Sequence, residues 1–296
     1  MKLFKKKIFC WACDYNKDTG EGKLARLYIK INFKNCLIKI STPSKVLKNF
    51  KLIQHRYISP FVGIIFCWIA YFDKKQTIYI NYLPLWNFLI FLLLPPKTLI
   101  GPITGGARFK NSVIRKYLFP LFYKISQLII YFRYQDVIFS TDLLKKYLNS
   151  YFLKKSKFNF ILNILKKNNY TFEHKKKIDF LIYYRNHENK RKFFPYLFIK
   201  ELIVLNYKIY VFGDKLLIDK VRNLGKISNE KVNKLLSKTR YTISSGENAL
   251  SIFTLECVNN NVKVLTNSRT IFKYRNLKSN LIYVNYNSGK FKDKLK

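Results

Sequence analysis

The sequence predicts an α/β protein of two domains, each a parallel sheet covered by helices. Three observations predict it. Apolar runs of strand length alternate with helix-like segments through most of the 296 residues, the rhythm of repeated βα units. An apolar fraction of 49% supplies two cores and separates the chain from disordered, charge-rich sequences. A basic, Asn-rich stretch over 151–177 carries Lys154-Lys155, Lys166-Lys167 and Lys175-Lys176-Lys177 and interrupts the rhythm. It sets the expected domains at 1–165 and 166–296.

In the first half, 7–13 is an apolar run suited to an opening strand. The loop from Asp14 to Gly22 follows, then a helix from Lys23 onward. Residues 77–81 read as a strand. Pro84 suits the first turn of a helix, and 85–94 is apolar nearly all round, as a core helix is. Pro95-Pro96 ends it. Residues 97–100 form the next strand and run into Gly101-Pro102-Ile103-Thr104-Gly105-Gly106. Residues 112–134 are helical in character, and 136–140 a short strand.

The second half repeats the pattern. Residues 178–184 are a strand, 193–206 a helix, and 208–212 a strand ending in Gly213-Asp214. A weaker strand covers 222–225. Ser228 or Asn229 caps a helix with Glu230 in its first turn, where a carboxylate favours the helix dipole. Then come a strand at 241–244, a helix at 248–259, and strands at 262–266 and 281–285.

Lys and Arg number 56 against 16 Asp and Glu, a formal charge of +40. Such a surface attracts nucleic acid, anionic lipid or nucleotide phosphates. The basic residues are mostly Lys and travel with Asn, Ile, Phe and Tyr, the set that AT-rich codons encode, so charge alone does not choose the partner. Neither an aromatic stacking motif nor a basic recognition helix accompanies the charge. An anionic membrane surface therefore ranks ahead of nucleic acid, which is not expected as a partner.

The cysteines Cys10, Cys13, Cys36, Cys67 and Cys257 are odd in number and scattered, as in a reducing cytosol. The apolar stretch after the basic N-terminus is too short for a secretory signal. The run 61–72 is short of the about 18 residues a spanning helix needs, and 76–96 is broken by Asn81, Pro84, Asn87 and Pro95-Pro96. The expectation is a cytoplasmic protein, peripheral at the inner face of the plasma membrane. Cys10-x-x-Cys13 lacks a second pair, and His55, His174 and His187 lack ligand spacing, so no metal site is expected.

The densest chemistry lies at 242–256. A strand ends, the small-residue turn Ser244-Ser245-Gly246 follows with Glu247 and Asn248, and a helix containing Ser251 begins. Free N–H groups at a helix start seat a pyrophosphate. Ser and Gly let it approach the backbone. Glu247 can accept hydrogen bonds from sugar hydroxyls. Glu256 is a carboxylate in an otherwise apolar helix, costly unless paired; ribose hydroxyls would pair it.

From Lys177 to Leu265 the sequence resembles the C-terminal domain of retaining GT-B glycosyltransferases with a paired-glutamate motif, the glycosyltransferase group 1-like family. Tyr184-Arg185 and Lys190 match its Arg/Lys pair, Phe212-Gly213-Asp214 its second strand end, and Gly225-Lys226-Ile227-Ser228 its third. Glu247 and Glu256 match the two glutamates, with one residue more between them than the family pattern has. Gly20-Glu21-Gly22 after the first strand resembles the family's N-terminal glycine-rich loop, and 136–140 its last N-domain strand.

The resemblance implies two Rossmann-like domains facing each other across a cleft. It implies catalytic roles for Arg185, Lys190 and Glu247. Donor binding falls to Gly213, Ser244, Ser245, Gly246, Asn248, Ser251 and Glu256. Loops on the acceptor side carry Gly20, Gly22, Gly101, Thr104, Gly105 and Gly106. Arg185 and Lys190 would neutralise the donor diphosphate, so that no metal or other cofactor is required. The implied activity moves a sugar from a nucleoside-diphosphate sugar to a lipid-linked or saccharide acceptor in cell-surface polysaccharide or lipopolysaccharide synthesis. A catalytically inactive GT-B-like scaffold and a basic nucleic-acid-binding protein are the alternatives.

Overall fold

A computed structural model describes residues 7–34, 36–46, 57–104, 113–134, 136–165, 176–244, 248–287 and 295. The chain divides into two compact units, Met1–Ile161 and Leu162–Lys296.

Unit 1 is built on β1 (Ile8–Ala12), whose five residues are all buried. It continues with α1 (Gly20–Asn32), β2 (Ile38–Ser41), α2 (Pro43–Val46), α3 (Ser59–Phe72) and β3 (Gln76–Ile80). Then come α4 (Phe88–Leu93), β4 (Leu99–Ile100), α5 (Val113–Arg133), β5 (Val137–Ile138), α6 (Ser150–Lys155) and β6 (Ser156–Lys157). Four strands pair in parallel in the order β2-β1-β3-β4. A parallel bridge between Ile103 and Phe139 continues the sheet toward β5, which pairs with β6. Helix cover on a parallel sheet explains why β1 reads as a continuous apolar run and not as alternation.

Two packing details position this unit. A Cβ on Gly63 would lie 2.1 Å from Nε1 of the fully buried Trp11, so α3 approaches β1 only with glycine there. Gln127 is buried in α5; it donates to the carbonyls of Tyr123 and Tyr147 and accepts from the Asn149 amide at 2.7 Å. A buried amide is tolerable because its groups are engaged in this way.

The structure corrects two boundaries. Gly20 and Gly22, expected in a loop, lie in the first turn of α1. Thr19 caps that helix, accepting from the Gly22 amide at 3.1 Å while its hydroxyl donates to Asp14 at 2.5 Å. Pro84 does not open α4. Asn81 and Tyr82 take left-handed conformations (φ 69° and 51°), a turn closes with Asn87 N–H donating to Pro84 O at 2.9 Å, and α4 starts at Phe88.

Unit 2 contains β7 (Ile178–Tyr184), α7 (Glu188–Lys192), α8 (Tyr196–Val204), β8 (Ile209–Gly213) and β9 (Arg222–Asn223). It continues with α9 (Asn229–Leu236), β10 (Thr239–Ile243), α10 (Ile252–Asn259), β11 (Lys263–Thr266), α11 (Arg275–Lys278) and β12 (Leu281–Tyr283). The helix expected over 193–206 is α8, which starts three residues later, and the short α7 precedes it. Pro195, which has no N–H to donate, stands where α8 begins. All six strands are parallel in the order β12-β11-β10-β7-β8-β9. Numbered within the unit this is 3-2-1-4-5-6, the Rossmann order. The chain leaves β7 toward one edge, returns, and leaves β10 toward the other. Connections at the carboxyl ends of β7 and β10 therefore diverge and leave a crevice, the place where open α/β sheets bind ligands.

Candidate functional site

The carboxyl end of β7 presents Tyr183, Tyr184 and then Arg185. Asp214 ties the following loop down: its carboxylate accepts from the Asn186 amide at 2.8 Å, and its own amide donates to Tyr184 O at 3.0 Å. Gly213 makes this contact possible. Its φ is +103°, and a Cβ there would lie 2.3 Å from Tyr184 O. Gly213 thus seats β8 against β7 and aims Asp214; it does not itself line the site. The short α7 then carries Lys190, whose amide donates to His187 O at 2.8 Å.

The carboxyl end of β10 presents Ser244. It is buried, its amide donates to Leu265 O at 2.8 Å and its hydroxyl donates to Thr266 Oγ1 at 2.9 Å. Ser245, Gly246 and Glu247 lie outside the described residues. Beyond them the expected helix start moves. Asn248 Oδ1 accepts from the Leu250 amide at 3.0 Å, an Asx turn that holds the chain out of the helix. The helix begins at Ile252 with Ser251 as its cap, Oγ accepting from the Thr254 amide at 3.1 Å. Among the described residues, the helix-start amides able to receive an anion are those that follow Ser251.

Arg185, Lys190, Ser244 and Ser251 line one pocket of about 80 Å³, with Tyr183, Phe193 and Phe253 among its walls. That is room for several water molecules, suited to a phosphate or diphosphate group and not to a whole nucleotide sugar. Tyr183, Phe212 and Phe253 form an aromatic cluster with ring centroids 5.0–6.0 Å apart. Tyr184 and Tyr196 share a hydroxyl hydrogen bond of 3.0 Å. Burial and that bond push the Tyr184 phenol up to about 12, so it stays neutral at physiological pH.

The electrostatics favour an anion. Arg185 donates weakly to the Tyr183 hydroxyl at 3.5 Å. That bond and the Tyr183 charge, with a smaller contribution from Asp214, hold its guanidinium above its ordinary range, so it remains a cation. Among the described residues no carboxylate comes within ion-pair distance of Arg185. Among the described residues of the lining, two cations, two hydroxyls and a helix N-terminus converge, an arrangement suited to negative charge.

Other sequence candidates fall elsewhere. Glu256 is half-buried in α10, three residues beyond Phe253 and so one turn further along the same side, outside the pocket lining. Its neighbour Cys257 is a core thiol, pushed far up by burial and then by the Glu256 charge. Asn248 is half-buried in its turn. In unit 1, Gly101 is buried after β4 and donates to Tyr79 O at 2.8 Å. Thr104 is half-buried and donates to Leu83 O at 3.2 Å; Gly105 and Gly106 lie outside the described residues. The Asn81 amide donates to the Asp14 carbonyl, joining the carboxyl ends of β3 and β1. Among the described residues, no group of three His, Cys, Asp or Glu is placed to hold a metal ion.

Sequence reasoning missed the aromatic walls. Tyr183 reads as a strand residue and Tyr184 only as the residue before Arg185, yet an aromatic pair immediately before a strand-end arginine is the available signal. Phe253 gave none, because its approach to Tyr183 follows from the pairing of distant strands.

No protein-family model and no curated protein sequence matches the chain. Solved structures do. The chain is similar to a glycosyltransferase from Rickettsia africae ESF-5, with a TM-score of 0.58 at 12% identity over 97% of this chain and 86% of that one. It is also similar to an alpha-glucosyltransferase solved with UDP-glucose and DNA containing an abasic site, with a TM-score of 0.52 at 11% identity over 98% and 89%. At such identities the likeness speaks for the fold. The strand orders and these neighbours agree on two Rossmann-like domains, the fold of the GT-B glycosyltransferases.

Proposed function

We propose that the chain is a glycosyltransferase whose second unit holds a nucleoside-diphosphate sugar. One observation carries the reading: Arg185, Lys190, Ser244 and the capped start of α10 converge on a small pocket at the point where strand order reverses. The donor diphosphate sits there, its charge met by the two cations and by the amides that follow Ser251. As the sugar C1–oxygen bond breaks, negative charge grows on the departing nucleoside diphosphate. Arg185 and Lys190 stabilise it more than they stabilise the intact donor, and that difference is catalytic. The acceptor hydroxyl oxygen bonds to C1 as that bond breaks, and its proton passes to the departing diphosphate oxygen. Glu256 is the ribose-side carboxylate and Glu247 the sugar-side one. The two cations take the charge-neutralising part that a divalent ion plays in other transferases. The acceptor is a lipid-linked or growing saccharide of the cell surface.

The test is a thermal-shift screen with UDP-, GDP-, ADP- and CMP-sugars, followed by assay of released nucleotide. A donor present at about a hundred times its Kd adds about 2.7 kcal/mol to stability, a visible rise in Tm. Arg185→Ala should abolish turnover and most of that rise. Binding without turnover across an acceptor panel would leave the scaffold alternative standing. No shift with any donor would end the reading.

A further inference from the structure

In unit 1, α4 lies between α3 and α5 and touches both. Trp68 of α3 donates to Leu93 O at 2.8 Å, and Arg133 of α5 donates to the carbonyls of Leu92 and Leu94. The three helices therefore form one fixed layer, with one side of each turned to the core. The other side should be polar and is not.

On α3 the exposed positions are Phe61, Ile65, Ile69 and Phe72, one stripe at helical spacing, while Ile64, Cys67 and Ala70 are buried behind it. Ile65 is 59% and Phe72 74% exposed. Helix α4 exposes Leu89 and Leu92. Along α5, Leu121, Leu128 and Phe132 repeat the pattern, Phe132 at 80% exposure. Scattered exposed apolar side chains are ordinary; stripes on three adjoining helices are not.

Charge tells what covers them. Between 57 and 134 the sequence has one carboxylate, Asp73, and Lys75 is paired with it at 2.7 Å. Exposed Lys74 follows α3, exposed Lys97 follows α4, and exposed Lys124 stands within the α5 stripe. A second copy of this chain would set the same lysines against these. A nucleic acid would satisfy the lysines but leave the apolar stripes without a partner. An anionic bilayer satisfies both, taking the apolar side chains into its interface and the lysines against its headgroups. No described helix is long and apolar enough to cross a membrane, so the layer lies on the surface.

We propose that the outer face of α3, α4 and α5 docks on an anionic lipid bilayer. The inference stands on these helices and not on the sugar-transfer reading, and donor binding in unit 2 serves as its independent control. The full chain is sedimented with vesicles of phosphatidylcholine alone and with about 30% phosphatidylglycerol. Binding should require the anionic lipid and weaken with salt. The double variant Ile69→Asp with Phe132→Asp should lower vesicle affinity at least about tenfold, with donor-induced thermal shift and Tm retained. Lys74→Gln with Lys124→Gln should reduce the anionic-lipid preference. The proposal is overturned if the wild-type chain does not sediment with anionic vesicles or if the aspartate variant binds as wild type does. It is equally overturned if those positions instead break a dimer in light scattering, or if they govern binding to duplex DNA or RNA.

Discussion

Arg185 shows how little of a functional side chain's position is set by its own residue. Its loop is held by Asp214, and Asp214 is held because Gly213 lets two strand ends approach. Gly22 is a sharper case. The sequence places it in an acceptor-side loop, yet it lies inside α1, where a Cβ would stand 2.0 Å from the Asn16 carbonyl oxygen. Alanine in a helix gains up to about 1 kcal/mol over glycine, while overpacking costs about 1–3 kcal/mol. The neighbour is backbone, which yields poorly, so the clash wins. Gly22→Ala should lower stability by about 1–2 kcal/mol in urea denaturation; an unmoved midpoint would show that the 13–19 loop shifts freely. Residue type was legible here, but its reason was not, because the contact is with a turn whose path the sequence does not display.

At the scale of elements, caps decide where helices begin. A cap at Ser228 or Asn229 is legible from Glu230 in the first turn that follows, and the structure gives the role to Ser228. The start of α10 was misread by four residues because Asn248 also carries cap chemistry; the side chain closes a turn and leaves the cap to Ser251. Ser228→Ala and Ser251→Ala should each cost about 1 kcal/mol of stability. Only Ser251→Ala should weaken donor binding, by about 3–10-fold, the worth of one hydrogen bond. Calorimetry showing equal donor affinity in the two variants would place the diphosphate away from α10.

Across the whole molecule, buried tyrosines hold both units to a common pH limit. Burial raises the phenols of Tyr28, Tyr79 and Tyr134 in unit 1 and of Tyr286 in unit 2, and pushes Tyr123 and Tyr184 up to about 12. In the unfolded chain these groups ionise near about 10. Above that pH the unfolded state binds fewer protons than the folded one, so stability falls as pH rises. It is fully present below about 10 and is lost progressively toward about 12, by up to about 1.4 kcal/mol per pH unit for each tyrosine. Circular dichroism should show Tm declining over that window, with part of the tyrosinate absorbance appearing only as the fold melts. The full tyrosinate absorbance of all 22 tyrosines forming near about 10 in a folded chain would contradict the burial.

The sequence by itself determined the α/β rhythm, most strand positions, a helix cap at 228–229 and an arginine at the end of β7. Each of these is local: an apolar period, a cap side chain or a strand-end arginine acts within a few residues. Only the tertiary structure decided that β7 adjoins β10. That pairing brings Arg185 and Ser244 to one pocket and lays Phe253 against Tyr183, while helix packing leaves three apolar stripes exposed. Strand order and helix contact arise between segments far apart in the chain, where no single stretch of sequence carries the pairing energy.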